Sequence, residues 1–257
     1  MDNVGLVTGA SSGIGKELAR IHASRNRDLV IVARREDELN ALKEELESKH
    51  RIRVKVIAAD LTEAGACEDI VAELKRDGIF VEYLFNNAGF GGRGLFHEQD
   101  WAMLSGMIAL NITALTRLTH LLLPPMVSYG SGRVLNTSST AGFMPGPLQA
   151  VYFATKAFVN SFSKAIASEL DGTGVTATAL CPGPVDTGFA DTAGFNGGDM
   201  FDGAKSAKYT AQRGYEAMES GDLEVITEPG LKFFIKAGLP FTPARLAMAQ
   251  VKKMQSN

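Results

Sequence analysis

The stretch Thr8-Gly9-Ala10-Ser11-Ser12-Gly13-Ile14-Gly15 joins a short apolar run, Val4–Thr8, to a helical pattern that continues to Ser24. A glycine-rich turn between a strand and a helix lets backbone N–H groups approach a pyrophosphate, and the helix N-terminus favours negative charge there. The glycine spacing departs from the G-x-G-x-x-G form, so the turn alone is equally compatible with a simple tight connection. The neighbouring features decide between these two interpretations.

Strand-like and helix-like patterns alternate through the first two thirds of the chain. Short β-branched or apolar runs predict strands, and the longer patterns between them predict helices. This alternation is typical of a parallel sheet with helices on both faces, so the sequence predicts one doubly wound α/β domain over residues 1–257. The strands are expected at residues 4–8, 29–33, 53–58, 83–86, 133–136 and 175–180, and the helices at 15–24, 36–49, 63–77, 100–128 and 150–170.

The last third of the chain departs from this alternation. Residues 188–204 are rich in small residues and lack a regular pattern. Because irregular segments of that length are often functional, residues 188–220 are interpreted as a substrate loop or lid, with a helix at 206–219. A strand at 223–227 and a C-terminal helical extension over 228–257, broken near its prolines, are expected next. The apolar segment 231–241 suits a lid, a subunit contact or an interfacial anchor, and packing against the protein is its plainest interpretation.

The composition narrows the class of ligand. The 257 residues include 26 lysines and arginines against 29 aspartates and glutamates, a net charge of −3. A small negative net charge does not attract nucleic acid or an anionic membrane electrostatically, so a small-molecule substrate is favoured. Cys67 and Cys181 are too few for a disulfide framework, and the four histidines form no metal-ligand pattern, so no metal is predicted. With no recognisable secretion leader and only short apolar runs, the sequence predicts a soluble, cytoplasmic protein without a transmembrane segment.

Two arginines follow the second predicted strand. Arg34 lies 19 residues after Gly15, where a dinucleotide-binding turn normally has an acidic residue that grips the adenosine ribose. A guanidinium instead matches a 2′-phosphate through charge-assisted hydrogen bonds. Arg34 and Arg35 therefore predict NADP(H) over NAD(H). The alternative is that both are solvated charges at the start of a helix.

A second motif, Tyr152-Phe153-Ala154-Thr155-Lys156, opens a helical pattern. Its i, i+4 spacing puts the phenol of Tyr152 and the ammonium of Lys156 on one face. Taken alone, this is an ordinary helix-surface pair. However, Ser139 follows a predicted strand 13 residues before Tyr152, at the edge where parallel sheets collect functional groups. Together these signals indicate a catalytic site.

With these motifs, the sequence closely resembles the short-chain dehydrogenase/reductases over residues 8–187, in particular the NADP-preferring members. The resemblance implies a Rossmann-type fold and a nicotinamide cofactor. The further landmarks that carry it are Asp60-Leu61, Asn86-Asn87-Ala88-Gly89, Asn111 and Pro182-Gly183-x-Val185-x-Thr187.

The resemblance also implies roles for particular residues. Asp60 and Leu61 would flank the adenine, Asn87 would help position the nicotinamide half, and residues 182–187 would contact the nicotinamide and its ribose. The full cofactor-binding set implied is Gly9, Ser11, Ser12, Gly13, Ile14, Gly15, Arg34, Arg35, Asp60, Leu61, Asn87, Ala88, Gly89, Tyr152, Lys156, Pro182, Gly183, Val185 and Thr187.

Carbonyl reduction by hydride creates an oxyanion that needs a hydrogen bond and a proton. Ser139 would supply the first and Tyr152 the second. Lowering the tyrosine pKa from about 10 to about 7 requires about 4 kcal/mol. An ammonium at about 4–5 Å, such as that of Lys156, supplies about 3–4 kcal/mol at an effective dielectric constant near 20. By the resemblance, Lys156 would also bind the nicotinamide ribose.

Two of these assignments have alternatives. Ser138 competes with Ser139 as the hydrogen-bond donor, although the spacing to Tyr152 resembles the family pattern better for Ser139. By the resemblance, Asn111 would help hold a water that connects Lys156 to solvent. It could instead be a buried polar residue satisfied by local backbone. For Cys181, a small buried side chain is the plainer interpretation than a reactive thiol.

The function expected is NADP(H)-dependent reduction of a small or medium apolar ketone, aldehyde or 3-oxoacyl compound. Phe90, Gly91 and Gly92 would border the nicotinamide. Arg93 and Lys205 are near enough in sequence that an acidic substrate remains an alternative. The rival is a non-catalytic NADP(H)-binding sensor or scaffold. An epimerase or dehydratase of the longer related architecture is disfavoured because no sizeable subdomain follows residue 188. The resemblance also implies a homo-oligomer, a dimer or a tetramer.

Overall fold

Seven parallel strands form the main sheet of the computed structural model, which describes residues 3–188 and 203–256. Their order across the sheet is β3-β2-β1-β4-β5-β6-β9. A separate two-stranded parallel sheet pairs β7 with β8. The strands are β1 Val4–Thr8, β2 Leu29–Ala33, β3 Val54–Ala58, β4 Val81–Asn86, β5 Gly132–Thr137, β6 Val175–Cys181, β7 Val185–Asp186, β8 Lys205–Ser206 and β9 Glu224–Ile226.

Helices cover both faces of the main sheet. One face packs against α1, α2 and α7, and the other against α3, α5 and α6. The fold class expected from the alternating pattern, a Rossmann-type doubly wound parallel sheet, is therefore confirmed. The helices are α1 Gly13–Ser24, α2 Glu36–Lys49, α3 Ala66–Arg76, α4 Trp101–Ile108, α5 Leu115–Tyr129, α6 Ala150–Glu169, α7 Ala207–Ser220, α8 Pro229–Phe233 and α9 Ala244–Ser256.

The central strands are apolar because both of their faces are buried. Leu6 of β1 pairs in register with Val30 of β2 and belongs to the core beneath α3 and α5. The next residue, Val7, belongs to the opposite core, beneath α1 and α2. Continuous apolar runs thus made these strands recognisable in the sequence.

The strand order reverses at β1, because the chain builds β2 and β3 to one side and then returns to place β4 on the other. Ligands of open α/β sheets bind outside the carboxyl ends of the strands at such a switch point. The glycine-rich turn follows β1 and the segment Asn87 to Gly89 follows β4, so both lie at this crevice.

The predicted helix at 100–128 is found as Trp101–Tyr129, with a π-helical segment, Ala109–Ala114, in its middle. In the part of the chain that the structure describes, it is long and apolar enough to cross a membrane by length and composition. The sequence interpretation treated its apolar runs as separate short ones, whereas they join into one element. Leu118, Leu122 and Met126 are nevertheless buried with the sheet residues Leu84 and Val134, as in a core helix.

The described second half of the region interpreted as a substrate loop or lid is largely helix α7, close to the helix expected at 206–219. Helix α7 packs against α1, and Tyr215 is fully buried with its hydroxyl 2.9 Å from His22 Nδ1. Ala211 and Met218 are equally buried, so α7 is a core helix of the sheet layer. Residues 189–202, which contain most of the expected mobile loop, lie outside the described residues.

The C-terminal segment is helical and interrupted at its prolines. After α8 come a π-helical turn, Phe234–Gly238, and a 3-10 turn, Leu239–Phe241, that contains Pro240. Helix α9 begins directly after Pro243. Ile235, Ala247 and Val251 are buried, so the segment packs against the protein. Phe233 and Phe241 remain 74% and 85% exposed.

Candidate active site

A single cavity of about 810 Å³ opens at the carboxyl ends of β1, β2, β4, β5 and β6. All of the residues predicted to bind cofactor or to act in catalysis line it, except Gly15 and Asn111. The fold thus collects side chains from positions 9 to 187 at one edge of the sheet. Residues of the C-terminal segment, among them Leu231, Phe234 and Val251, form a further wall.

The glycine-rich turn is shaped by close backbone approaches. Gly9 and Gly13 have φ angles of +67° and +54°, which residues with a Cβ rarely adopt. A Cβ at Gly15 would lie 2.3 Å from the carbonyl oxygen of Gly9. Gly15 was expected to contact the cofactor, but it sits behind the cavity wall, where only glycine lets the helix pack this closely on the turn.

Thr8 and Asn87 tie the turn to the neighbouring strands. Thr8 Oγ1 accepts hydrogen bonds from the backbone N–H groups of Asn87 and Ala88 at 2.9 and 3.0 Å. Asn87 Nδ2 donates to the Thr8 carbonyl at 3.2 Å, and Asn87 Oδ1 accepts from Thr137 Oγ1 at 3.3 Å. Asn87 therefore lines the cavity while it links the ends of β1, β4 and β5. The structural role of Thr8 was missed in the sequence because a threonine at a strand end gives no distinctive signal.

Arg34 and Arg35 stand at the end of the cavity beside β2. Arg34 is largely exposed, and its Nη1 lies 3.7 Å from Asp60 Oδ2. Arg35 Nη2 donates to Ser11 Oγ at 3.1 Å, which brings this guanidinium over the glycine-rich turn. Burial acts to raise the pKa of Asp60, but hydrogen bonds from Thr62 and the charge of Arg34 outweigh it and lower that pKa. Asp60 is therefore an anion at neutral pH.

The two candidate serines have different partners. Ser138 Oγ donates to the carbonyl of Lys156 at 2.8 Å, so its proton is used within the protein. Ser139 Oγ accepts from the N–H of Ala141 at 3.1 Å and donates to the carbonyl of Pro182 over a long 3.3 Å. Ser139 also hydrogen-bonds the Tyr152 side chain. This geometry favours Ser139, which is the serine that the spacing to Tyr152 indicated.

Tyr152 and Lys156 lie on the cavity-facing side of α6, and both are buried. Lys156 Nζ donates to the Thr137 carbonyl at 2.8 Å and lies 5.8 Å from the centroid of the Tyr152 ring. The phenol and the ammonium therefore face one space, as the i, i+4 spacing predicted.

The pKa shift expected for Tyr152 has the wrong sign. Burial raises the pKa of Tyr152 to about 12, and the hydrogen bond with Ser139 opposes this only in part. Burial also lowers the pKa of Lys156 to about 8. The sequence argument counted the attraction between phenolate and ammonium but not the loss of water around each charge. The phenol accordingly keeps its proton at neutral pH, the state that a proton donor needs.

Asn111 lies in the π-helical segment, behind the cavity wall. Its Nδ2 donates to the carbonyl of Phe90 at 2.9 Å and to Thr155 Oγ1 at 3.1 Å, and its Oδ1 accepts from the N–H of Phe90 at 3.1 Å. A Cβ at Gly89 would lie 3.0 Å from Asn111 Oδ1 and 3.4 Å from Lys156 Nζ. Asn111 thus fixes the segment after β4 next to Lys156, with backbone partners that are distant in sequence.

The part of the cavity next to Tyr152, here called the substrate end because a substrate is expected there, is lined mostly by apolar side chains such as Met144 and Phe153. Phe90 lines it, but Gly91 and Gly92, which were expected beside it, do not. A Cβ at Gly92 would instead meet Met103 Sδ at 2.8 Å, so Gly92 serves packing against α4. Neither Arg93 nor Lys205, the candidates for binding an acidic substrate, belongs to the described cavity wall.

The chemistry of this site involves neither thiol in the described structure. Burial raises the pKa of Cys67 to about 11 and that of Cys181 to about 12. Within residues 3–188 and 203–256, no group of three histidine, cysteine or acidic side chains is placed to hold a metal ion.

Comparison with known proteins places this site in context. The family model described as short chain dehydrogenase matches residues 3–194. The sulfoacetaldehyde reductase of Chromohalobacter salexigens is 38% identical over 222 residues, 84% of this chain and 83% of that protein. The very-long-chain 3-oxoacyl-CoA reductase of Bos taurus is 34% identical over 189 residues, 72% of this chain and 60% of that protein. A short-chain dehydrogenase from Sphingobium yanoikuyae, solved in complex with NADPH, superposes with a TM-score of 0.84 at 31% identity and covers 96% of this chain and 95% of its own.

Proposed function

Because this chain belongs to the short-chain dehydrogenase family and is an oxidoreductase, we propose that it reduces an apolar ketone, aldehyde or 3-oxoacyl compound with NADPH. One observation carries the proposal: Ser139, Tyr152 and Lys156 line the same cavity, with Lys156 Nζ 5.8 Å from the centroid of the Tyr152 ring. Two relatives at 38% and 34% identity are named as reductases, one of an aldehyde and one of a 3-oxoacyl compound, which supports this direction.

The residues present fit a dinucleotide. Gly9 and Gly13 have no side chains and adopt the positive φ angles of the turn, so its backbone is open where a pyrophosphate would approach the N-terminus of α1. Asp60 and Leu61 line the cavity at the adenine end, and Lys156 and Thr187 line it at the nicotinamide end. When bound there, NADPH supplies the hydride that reduces the carbonyl carbon.

The chain's own residues handle the proton. The long bond from Ser139 to Pro182 is weak, so the Ser139 hydroxyl can turn to stabilise the carbonyl oxygen as negative charge develops. Tyr152 then transfers its phenolic proton to that oxygen, which is a stronger base than a phenolate even with the tyrosine pKa at about 12. Lys156, within the same buried space, stabilises the phenolate and returns a proton to it.

We propose NADPH rather than NADH as the preferred cofactor. Arg34 and Arg35 both line the adenosine end, and Arg35 already bridges to Ser11 on the glycine-rich turn, so two guanidinium groups flank the space beside the ribose. A 2′-phosphate would accept charged hydrogen bonds from both guanidinium groups, whereas a 2′-hydroxyl offers them no negative charge.

Kinetics with the two cofactors test this preference. We expect Arg34→Ala to lower kcat/KM for NADPH about 10- to 100-fold, the effect of losing one charged hydrogen bond, with little change for NADH. Arg51→Ala, which removes an exposed arginine outside the cavity wall, is the matched control. Equal efficiencies with NADPH and NADH, unchanged by Arg34→Ala, would contradict the assignment.

The reaction class is tested by following NADPH absorbance over a panel of aldehydes, ketones and 3-oxoacyl compounds. We expect turnover of apolar members, because Phe90, Met144 and Phe153 form the wall beside Tyr152. Tight NADPH binding with no turnover of any compound would instead favour the rival function, a non-catalytic sensor or scaffold.

We also propose that the chain works as a homo-oligomer in the cytoplasm. Trp101 and Ile108 of α4 and Phe158 of α6 are 67%, 39% and 39% exposed, and a subunit contact would bury these large apolar side chains. Light scattering should give two or four times the mass of one chain, and a monomer would contradict the proposal.

A further inference from the structure

The charges around the cavity are confined to one part of it. Among the described residues that line it, the charged side chains are Arg34, Arg35, Asp60 and Lys156. The first three stand at the adenosine end, and Lys156 is hydrogen-bonded to the Thr137 carbonyl. Apart from Lys156, the described wall formed by Phe90, Met144, Phe153 and the C-terminal segment therefore presents no cation.

The charge of this part of the described wall bears on the charge of the substrate. A carboxylate or sulfonate moved from water into an apolar pocket needs a paired cation or a dense set of donors to offset its lost hydration. Near Phe90, Met144 and Phe153, the described wall offers an anionic substrate tail no cation besides Lys156.

Two buried glutamines give the same wall a neutral polar character. Gln149 precedes α6, three residues before Tyr152, and is 4% exposed; Gln255 lies on α9 and is 3% exposed. Both line the cavity. Within the described part of the chain, Gln149 Nε2 and Gln255 Oε1 have no hydrogen-bond partner. Buried amide groups are normally paired, so these two atoms point to a group that arrives with the substrate.

The unpaired atoms are complementary in kind. Gln149 Nε2 is a donor and Gln255 Oε1 is an acceptor, so together they suit a group that both accepts and donates, such as an amide or a hydroxyl. The terminal torsion of a glutamine is soft, which allows each amide to turn toward a ligand at small cost. The apolar side chains of the same cavity wall, among them Phe90, Met144 and Phe153, suit a hydrocarbon segment.

We propose that the preferred substrate is an uncharged carbonyl compound with a short apolar body and a second neutral polar group, selected by Gln149 and Gln255. The proposal rests on the reductase function and adds the substrate class. It predicts that this chain discriminates against anionic substrates such as sulfoacetaldehyde, even though a relative at 38% identity is named for reducing that compound.

Three ketones of nearly equal length test the proposal: 5-oxohexanamide, 5-oxohexanoate and heptan-2-one. With NADPH, we expect kcat/KM for the amide to exceed that for the carboxylate at least about 30-fold, since an unpaired buried charge is penalised more heavily than a neutral group. We also expect propanal to be a better substrate than sulfoacetaldehyde. A carboxylate used as well as the amide would overturn the inference while leaving the reductase function intact.

Variants of Gln149 test whether this glutamine causes the preference for the amide. Gln149→Leu should lower the ratio of kcat/KM for the amide to that for heptan-2-one about tenfold, whereas Gln212→Leu, which removes a glutamine outside the cavity wall, should leave the ratio unchanged. Gln149→Arg should raise kcat/KM for 5-oxohexanoate at least about tenfold, because it supplies the missing cation. An unchanged ratio in Gln149→Leu and no gain in Gln149→Arg would together overturn the role of Gln149.

A binding measurement separates failure of this inference from failure of the reductase function. If no ketone is reduced, the reductase function is wrong, yet the pocket can still be examined by thermal unfolding of the NADPH complex with each compound. Greater stabilisation by the amide than by the carboxylate supports the neutral preference. Greater stabilisation by the carboxylate overturns it.

Discussion

Burial sets the protonation of the two residues at the centre of the site. It holds Tyr152 as a neutral phenol, with a pKa of about 12, and it brings the pKa of Lys156 down to about 8. A neutral donor next to an amine that titrates near physiological pH suits reduction, which consumes one proton per turnover. The sequence indicated Tyr152 and Lys156 by their helical spacing. It could not indicate their burial, because the walls that exclude water come from distant segments such as Val251.

The other site residues also divide into those that a sequence motif indicates and those that only the folded structure reveals. Those that belong to contiguous motifs, such as Gly13 and Ser139, were predictable, because the motif fixes both the local conformation and the position at the sheet edge. Gln149 gave no signal as a single polar residue in a loop. Its significance depends on a buried, unpaired amide nitrogen, which is a property of the assembled cavity.

The pH dependence of reduction tests the role of Lys156. With NADPH saturating, we expect kcat/KM for the carbonyl to be constant below pH 8 and to fall about tenfold per pH unit above it. The reason is that the pKa of Lys156 is lowered to about 8, and the neutral amine formed above that pH can neither stabilise the phenolate nor return a proton to it.

Lys156→Arg provides the comparison, because a guanidinium stays charged throughout this range. Its absolute rate should be lower, but the fall in activity should move to well above pH 9. If the wild type and Lys156→Arg lost activity at the same pH, the titrating group would not be Lys156.

At the level of elements, most strands and helices followed from the sequence. Strands β1 and β2 and helix α2 have the predicted bounds, because their apolar periodicity coincides with clear turn signals. Helix α7 was found near its predicted residues, and the structure adds its place in the core beside α1. Periodicity shows which face of a helix is apolar but not which element that face packs against. The sequence therefore could not indicate that α7 packs in the same core as α1. The role of α9 as a cavity wall was missed for the same reason, since α9 joins the site only through the return of the chain after residue 229.

A charge placed on the cavity-facing side of α9 tests whether this helix forms part of the cavity wall. Val251 is 8% exposed and packs in one cluster with Tyr152 and Phe153. We expect Val251→Asp to lower kcat/KM for an apolar ketone at least about tenfold, because the carboxylate carries water into the substrate end or rejects the ketone. NADPH affinity, measured by fluorescence titration, should change little.

Ala249→Asp adds the same charge to an exposed position on the same helix and is the control. It should retain activity close to that of the wild type. An equal loss of activity in both variants would show that α9 responds to charge in general, not through the cavity.

For the molecule as a whole, the reversal of strand order at β1 explains why one cavity holds nearly all of the predicted residues. The crevice there brings the glycine-rich turn, two arginines and the side chains proposed for catalysis to one edge of the sheet. This arrangement was predictable, since the doubly wound topology follows from the strand-helix alternation and the right-handed crossover rule. The composition of the substrate end was not, because it depends on residues after 229 that no local pattern assigns to the site.

Thermal unfolding tests cofactor binding by the whole molecule. At NADPH about 100-fold above its Kd, binding adds about 2.7 kcal/mol to the free energy of unfolding. For a protein of this size, that raises Tm by roughly 5–10 °C. NADH at the same concentration should give a clearly smaller shift, because it lacks the 2′-phosphate that Arg34 and Arg35 would bind. Equal shifts would contradict the proposed preference.

The central claim is that Tyr152 gives the proton during NADPH-dependent reduction, and its most direct test compares Tyr152→Phe with the wild type on the best ketone of the panel. The phenylalanine keeps the packing with Phe153 and removes only the hydroxyl. We expect kcat/KM to fall about 10²- to 10⁴-fold, the usual contribution of a general acid, while the Kd for NADPH stays within about threefold. Tyr129→Phe, at a tyrosine that is 73% exposed, should behave as the wild type. A Tyr152→Phe protein that reduces the ketone as fast as Tyr129→Phe does would contradict the account.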